Sequence, residues 1–228
     1  MQIEDIPAVM EVERQSFTVP WPSHAYKREL KENRLARYIV ARRTFPGPDI
    51  FGNRQAEGES DSVVTHSTTR RGLLGWISDL MGGNSQPSAS VGERAQRVVG
   101  YAGLWLMVDE AHITSIAVAS AYRGLGIGEL LFLSLVDMSR QIGAQYVTLE
   151  VRVSNILAQN LYRKFGFKET GVRRRYYSDN NEDALIMWSD PLDSPDFQHM
   201  VEQHRQALMA RLKSSQTVSE LRARGVQA

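Results

Sequence analysis

Residues 111–140 read AHITSIAVASAYRGLGIGELLFLSLVDMSR, and this stretch organises the chain. Ile113, Ile116 and Val118 give its first third strand character. Gly124, Gly126 and Gly128 follow, and then Leu130, Leu131, Leu133, Leu135, Val136 and Met138 mark a helix apolar over most of its surface. A helix that starts straight after glycines presents unpaired N–H groups and the positive end of its dipole, which suits a phosphate.

Outward from that centre the elements follow in order. Residues 3–17 predict a helix with Asp5 as N-cap and Pro7 in the first turn. Pro20 and Pro22 break it, and Ser23 caps a second helix to about residue 33. Residues 38–42 form a short strand. Residues 98–107 and 112–118 form an antiparallel hairpin turning at Asp109-Glu110. Gly143 ends the central helix, and 146–151 is a strand. Ser154 or Asn155 caps a helix over 156–165, and strands follow at 167–172 and 183–188. Ser194-Pro195 opens a last helix with Phe197, Met200, Val201, His204, Leu208, Arg211 and Leu212 on one face, a thin apolar stripe that predicts a peripheral appendage.

The 228 residues suit one sizeable domain with appendages: residues 1–43 and 98–190 as the domain, 191–228 as a C-terminal helical extension. Residues 44–97 are rich in Gly, Ser, Pro, Arg and Glu with little periodicity, and predict a disordered insertion. Within it Leu73, Leu74, Trp76, Ile77, Leu80 and Met81 fall at helical spacing. That island is a candidate docking element, set against the plainer reading of a short helix packing on its own domain.

Lys+Arg 27 against Asp+Glu 26 gives a net charge of +1, so no global field points to nucleic acid. With no cysteine, disulfides, thiolate metal sites and cysteine nucleophiles are excluded, and the five histidines show no metal-ligand spacing. No apolar run is long enough to span a bilayer and no signal peptide opens the sequence, so a cytoplasmic protein is expected.

Three phosphate-cradling patterns compete for the glycine loop. A P-loop requires Gly-Lys-Ser/Thr, but Glu129 and Leu130 follow Gly128. A dinucleotide fingerprint requires a third glycine where Glu129 or Leu131 stands. What remains is Arg123-x-x-Gly126-x-Gly128, which resembles the pyrophosphate loop of the GCN5-related N-acetyltransferases (GNAT). The stretch Tyr146…Glu150…Asn155, then Leu161-Tyr162-x-x-Phe165-Gly166-Phe167, is similar to the closing half of that fold. Leu149-Glu150-Val151-Arg152, Arg174-Arg175-Tyr176-Tyr177 and Asp183-Ala184-Leu185-Ile186-Met187 narrow the resemblance to RimI-type ribosomal-protein-alanine N-acetyltransferases, as does Phe17…Pro20-Trp21-Pro22-Ser23.

The resemblance implies an α/β (α+β) GNAT fold: a mixed, mostly antiparallel sheet flanked by helices, interrupted by the insertion between the family's second and third strands. The family opens with a strand ahead of the first helix, and this chain starts almost within that helix. Acetyl-CoA is the implied co-substrate, with no metal. Main-chain groups of Ile116, Ala117 and Val118 would pair with the pantetheine. N–H groups of Gly124, Leu125, Gly126, Ile127, Gly128 and Glu129 would hold the pyrophosphate, with Arg123 adding charge.

Glu150 is the implied general base, since a carboxylate in an apolar strand is costly unless used or paired; the competing reading pairs it with Arg152 or turns it to solvent. Tyr162 is the implied acid for the leaving thiolate, against a core aromatic packing on Phe165 and Phe167. Asn155 caps its helix and is a second candidate contact to CoA. Trp21, Tyr176 and Tyr177 are candidates for the acceptor groove. The acceptor implied is a protein N-terminus, the N-terminal alanine of a small-subunit ribosomal protein. A lysine or small-molecule amine acetyltransferase, or a catalytically silent CoA-binding module, are the alternatives.

Overall fold

The computed structural model describes residues 1–44 and 96–223, with side chains to residue 214. The expected insertion at 44–97, with its island at Leu73–Met81, lies outside the described residues except at its ends. There Thr44 closes one strand, and Gln96 and Arg97 open the next.

The elements run α1 (Ile6–Ser16), α2 (Ser23–Glu32), β1 (Ala36–Thr44), β2 (Gln96–Met107), β3 (Glu110–Val118), α3 (Ile127–Gln141), β4 (Tyr146–Arg152), α4 (Ile156–Lys164), β5 (Lys168–Tyr177), β6 (Glu182–Trp188) and α5 (Pro195–Ala223). The strands form one mixed sheet in the order β1-β2-β3-β4-β6-β5. Its β3–β4 pair is parallel, and β2–β3, β4–β6 and β5–β6 are antiparallel.

Alternation sorts side chains between two cores. Tyr101 joins Ile6, Val9, Val12 and Tyr26 of α1 and α2. Ala102, Leu104, Ile113, Val147, Leu149 and Val151 join Phe132, Leu135, Tyr162 and Phe165 of α3 and α4. Each fully buried Leu, Val or Phe contributes about 1.5–3 kcal/mol. The same alternation leaves His112, Thr148 and Glu150 off the α3/α4 face, clear of that core.

Several local expectations are corrected. Asp5 does not cap α1: it sits in a 3₁₀ turn at Ile3–Asp5, accepts the Gln2 N–H at 2.8 Å and ion-pairs with Arg42. Ser23 is the first residue of α2, and Pro22 occupies the N-cap position. At Asn155 and Ser194 the caps form as expected, accepting from Ala158 N–H at 3.2 Å and Phe197 N–H at 3.3 Å. β5 runs to Tyr177, five residues past its expected end. It is an exposed edge strand without apolar alternation, and it bulges between Arg173 and Tyr177.

The largest difference concerns α5. Phe197, Val201 and Leu208 are 2%, 5% and 0% exposed and belong to the α3/α4 core, so the helix is an integral layer. Its stripe is thin because three well-spaced side chains, plus Met200 against Gly166 and Leu212, suffice to seat it.

The β2–β3 turn falls one residue earlier than expected, at Val108-Asp109 between the paired Met107 and Glu110. Burial of Ala111 and Ile113 sets the register and forces Val108 to φ 59°, the left-handed region a β-branched residue disfavours. Val108 is 97% exposed, so its side chain contributes no packing. Val108→Asn should therefore raise unfolding stability by about 1 kcal/mol, seen as a higher denaturation midpoint at unchanged slope.

Candidate active site

The parallel ladder between β3 and β4 holds four pairs, from Glu110↔Tyr146 to Ile113↔Leu149. Beyond that pair both strands continue without pairing to each other, so the sheet forks. Thr114 bulges at the fork, since Gly103 pairs with Ser115 and Leu104 with Ile113. On its other side β3 remains paired to β2 through Ile116, Ala117 and Val118. Apart from Val118 O, which accepts from Arg123, the edge of these three residues facing β4 thus has main-chain groups available to an extended ligand arm, which would join as a strand does.

At the end of that edge lies the glycine loop. Gly124 and Gly126 take φ 76° and 83°, conformations that glycine adopts without steric cost. The first helical bond of α3 runs from Leu130 N–H to Gly126 O at 2.9 Å, leaving the N–H groups of Ile127, Gly128 and Glu129 ahead of it. Leu125 is half exposed on the turn. Arg123 is turned inward in this structure: its guanidinium donates to Val118 O at 3.0 Å, Gln15 O at 3.2 Å and Ser16 Oγ at 3.2 Å, tying the loop to β3 and α1. Loop and strand edge together fit a thioester carried on a pantetheine–pyrophosphate arm.

Glu150 is the first residue of β4 past the last ladder pair, with a side chain only 6% exposed. Its partners differ from the Arg152 reading: Oε2 meets His112 Nε2 at 3.0 Å, and Oε1 meets Arg173 Nε at 3.1 Å. Burial pushes the carboxyl pKa up, but the His112 hydrogen bond and the charges of His112 and Arg173 outweigh it and hold the group below its ordinary range. A carboxylate only accepts, so His112 Nε2 carries the proton on that side; Nδ1 meets Thr148 Oγ1 at 3.0 Å. His112 went unread in the sequence because it pairs with Glu150 across strands 38 residues apart. The available signal was its even spacing in β3, which places it beside Thr148 in the ladder.

Arg152 is engaged elsewhere. It ion-pairs with Asp179 at 2.9 Å and Glu182 at 3.0 Å, and its guanidinium lies 3.8 Å from the centre of the Tyr177 ring. Tyr176 and Tyr177 meet edge to face at 5.1 Å, and Arg173 lies 5.6 Å from the Tyr176 ring, which connects this pair to Glu150. Trp21 packs on Tyr26 and Trp105 at 5.7 and 6.4 Å, and its main-chain N–H donates to the buried Glu13 at 3.3 Å. Tyr176 and Trp21 are 45% and 39% exposed.

Tyr162 packs on Phe132 and Phe167, and it is 8% exposed. Its hydroxyl has no hydrogen-bond partner among the described residues. Desolvation, with a smaller contribution from Tyr177, pushes the phenol pKa well above its ordinary value. Asn155 and Gln159 fix the start of this helix, Gln159 donating to Arg152 O and Val153 O at 2.9 and 2.8 Å. No group of three or more His, Cys, Asp or Glu able to hold a metal occurs among the described residues. No described helix is long and apolar enough to cross a membrane.

Comparison with known proteins agrees with this geometry. The sequence profile of the Acetyltransferase (GNAT) family matches residues 56–167. A Bacillus subtilis protein, provisionally named a ribosomal protein bS18-alanine N-acetyltransferase, is 36% identical over 188 residues, covering 82% of this chain and 91% of that one. The Haemophilus influenzae ribosomal protein bS18-alanine N-acetyltransferase is 38% identical over 94 residues, 40% of this chain and 64% of its own length. The fold is also that of the crystal structure of the Escherichia coli ribosomal-protein-S18-alanine N-acetyltransferase: TM-score 0.56 at 22% identity, over 85% of this chain and 92% of that one. The chain belongs to the GNAT family and is an acetyl-CoA-dependent N-acetyltransferase.

Proposed function

We propose that the chain acetylates a protein N-terminal α-amine, specifically the N-terminal alanine of a small-subunit ribosomal protein, in the cytoplasm. The observation that carries the catalytic reading is the fork itself. It opens one strand edge for the donor and places a buried, ionised carboxylate at the first unpaired position of the other strand. The acceptor is supported by the names of the Bacillus subtilis and Haemophilus influenzae relatives.

Acetyl-CoA supplies the activated acetyl group as a thioester. N–H groups of Ile127, Gly128 and Glu129 bind its pyrophosphate, and the free edge of Ile116–Val118 aligns the arm and polarises the carbonyl. Glu150 accepts the proton that the attacking amine sheds as the C–N bond forms. His112 and Arg173 keep that carboxylate ionised and aimed, so His112 is a positioning residue. Tyr162 gives its proton to the sulfur as the C–S bond breaks, a phenol that its apolar aromatic setting keeps protonated. Tyr176, Tyr177 and Trp21 border the acceptor groove.

Glu150→Gln should lower kcat by about 10²–10³-fold while leaving the acetyl-CoA dissociation constant unchanged. His112→Gln should lower kcat less and restore part of it at higher pH. Full rate in the Glu150 variant across pH would remove the carboxylate from the mechanism.

Because the Tyr162 pKa is raised, its phenol stays protonated and able to donate through neutral and alkaline pH. The rate should therefore rise as the peptide amine deprotonates near pH ~8 and show no descending limb below pH ~10. Tyr162→Phe should lower kcat across this range, and full rate in that variant would assign the acid elsewhere.

For the acceptor, the chain should transfer acetyl groups to peptides beginning with alanine in preference to other first residues. Transfer to lysine side chains or small amines but not to α-amines would overturn this reading.

A further inference from the structure

The loop that holds the donor is covered by a helix no part of the mechanism has used. A Cβ built on Gly126 would lie 2.8 Å from Leu208 Cδ1 and 3.6 Å from Leu212 Cδ2, so α5 rests on the loop at its left-handed turn. In the first turn of α3, Glu129 is buried, its side chain 9% exposed. A carboxylate there stands within a few residues of the N–H groups meant for pyrophosphate, where its own charge would repel the ligand. It is not left alone. Arg211 of α5 reaches Oε2 at 2.6 Å, and Lys164, the last residue of α4, pairs with Oε1. Burial pushes the Glu129 pKa up, but these two cations outweigh it and keep the group ionised.

We infer that α5 completes the donor site: Arg211, held with Lys164 on the buried carboxylate of Glu129, offsets a negative charge at the flank of the glycine loop that would otherwise repel the phosphates of acetyl-CoA. Of these two cations Lys164 comes from the α3/α4 body and Arg211 from α5. Arg211 is thus a specificity-determining residue for the phosphorylated half of the donor and takes no part in acyl transfer. Its side chain is 59% exposed, whereas α5 is anchored through Phe197, Val201, Leu208 and the Arg205–Asp137 pair at 2.6 Å. Replacing Arg211 therefore changes charge while leaving the helix seated.

This inference rests on the glycine loop being the donor site, and the test separates the two. Full-length wild type, Arg211→Glu and Arg211→Lys are compared with acetyl-CoA and with S-acetylpantetheine, which keeps the thioester arm but has no phosphates. Arg211→Glu should raise the acetyl-CoA KM by about 10-fold at low ionic strength, with kcat at saturation and the S-acetylpantetheine KM unchanged. Arg211→Lys should stay within about twofold of wild type, and added salt should narrow the gap between wild type and Arg211→Glu. An acetyl-CoA KM unaltered in Arg211→Glu, or raised equally for both donors, would overturn the role of α5 and leave the donor site standing. Weaker acetyl-CoA binding in Gly128→Val, whose added Cβ meets only Val118 Cγ2 at 3.8 Å and leaves α5 untouched, checks the loop independently. Wild-type strength in that variant would overturn the donor site, and with it this inference.

Discussion

Beyond Ile113 and Leu149 the two central parallel strands stop sharing hydrogen bonds, and the rest of the molecule is arranged around that parting. Main-chain donors and acceptors in the middle of a sheet are costly to leave unmatched. A fork there is tolerable where something else is meant to occupy the edge. β3 survives it because its other side stays paired to β2 through Val118, and because the Thr114 bulge absorbs the change of direction. β4 survives it because Glu150 to Arg152 pair with β6, from Ile186 to Ala184. Each strand is thus held from outside, and the gap between them leaves the β3 edge open to an extended ligand arm.

Electrostatics then divides the labour. Acidic groups are matched to cations: Glu150 to His112 and Arg173, Glu129 to Lys164 and Arg211, while Asp179 and Glu182 share Arg152. Breaking a buried charge pair costs far more than a surface pair contributes. The arrangement therefore fixes where negative charge sits: at Glu150 just past the fork, and at Glu129 in the first turn of α3. Tyr162 stands apart from these networks, a phenol in an aromatic setting that keeps its proton until a stronger base arrives.

Much of this was legible in the residues. The glycine loop and the apolar face of α3 announced themselves through spacing, and Asn155 and Ser194 through capping chemistry. Glu150 stood out as a charge in a strand. What the residues misreported were features decided by partners distant in sequence. α5 carries too few apolar residues to look like core, yet Phe197, Val201 and Leu208 are buried because α3 and α4 leave a groove for three side chains. Val108 gave no turn signal, since register, set by Ala111 and Ile113, placed it there. β5 lacks alternation because an edge strand exposes both faces.

By itself, then, the sequence determined the local grammar: which segments are helix or strand, where the chain turns on glycine, and which residues carry chemistry able to hold a thioester and move protons. Those properties depend on neighbours within a turn or a strand period. Tertiary structure alone decided that Glu150 answers to His112 and Arg173 instead of Arg152, that Tyr162 packs against Phe132 and Phe167, and that α5 lies over the glycine loop. Pairing register and helix docking bring together groups 23 to 82 positions apart, and no local period encodes such distances.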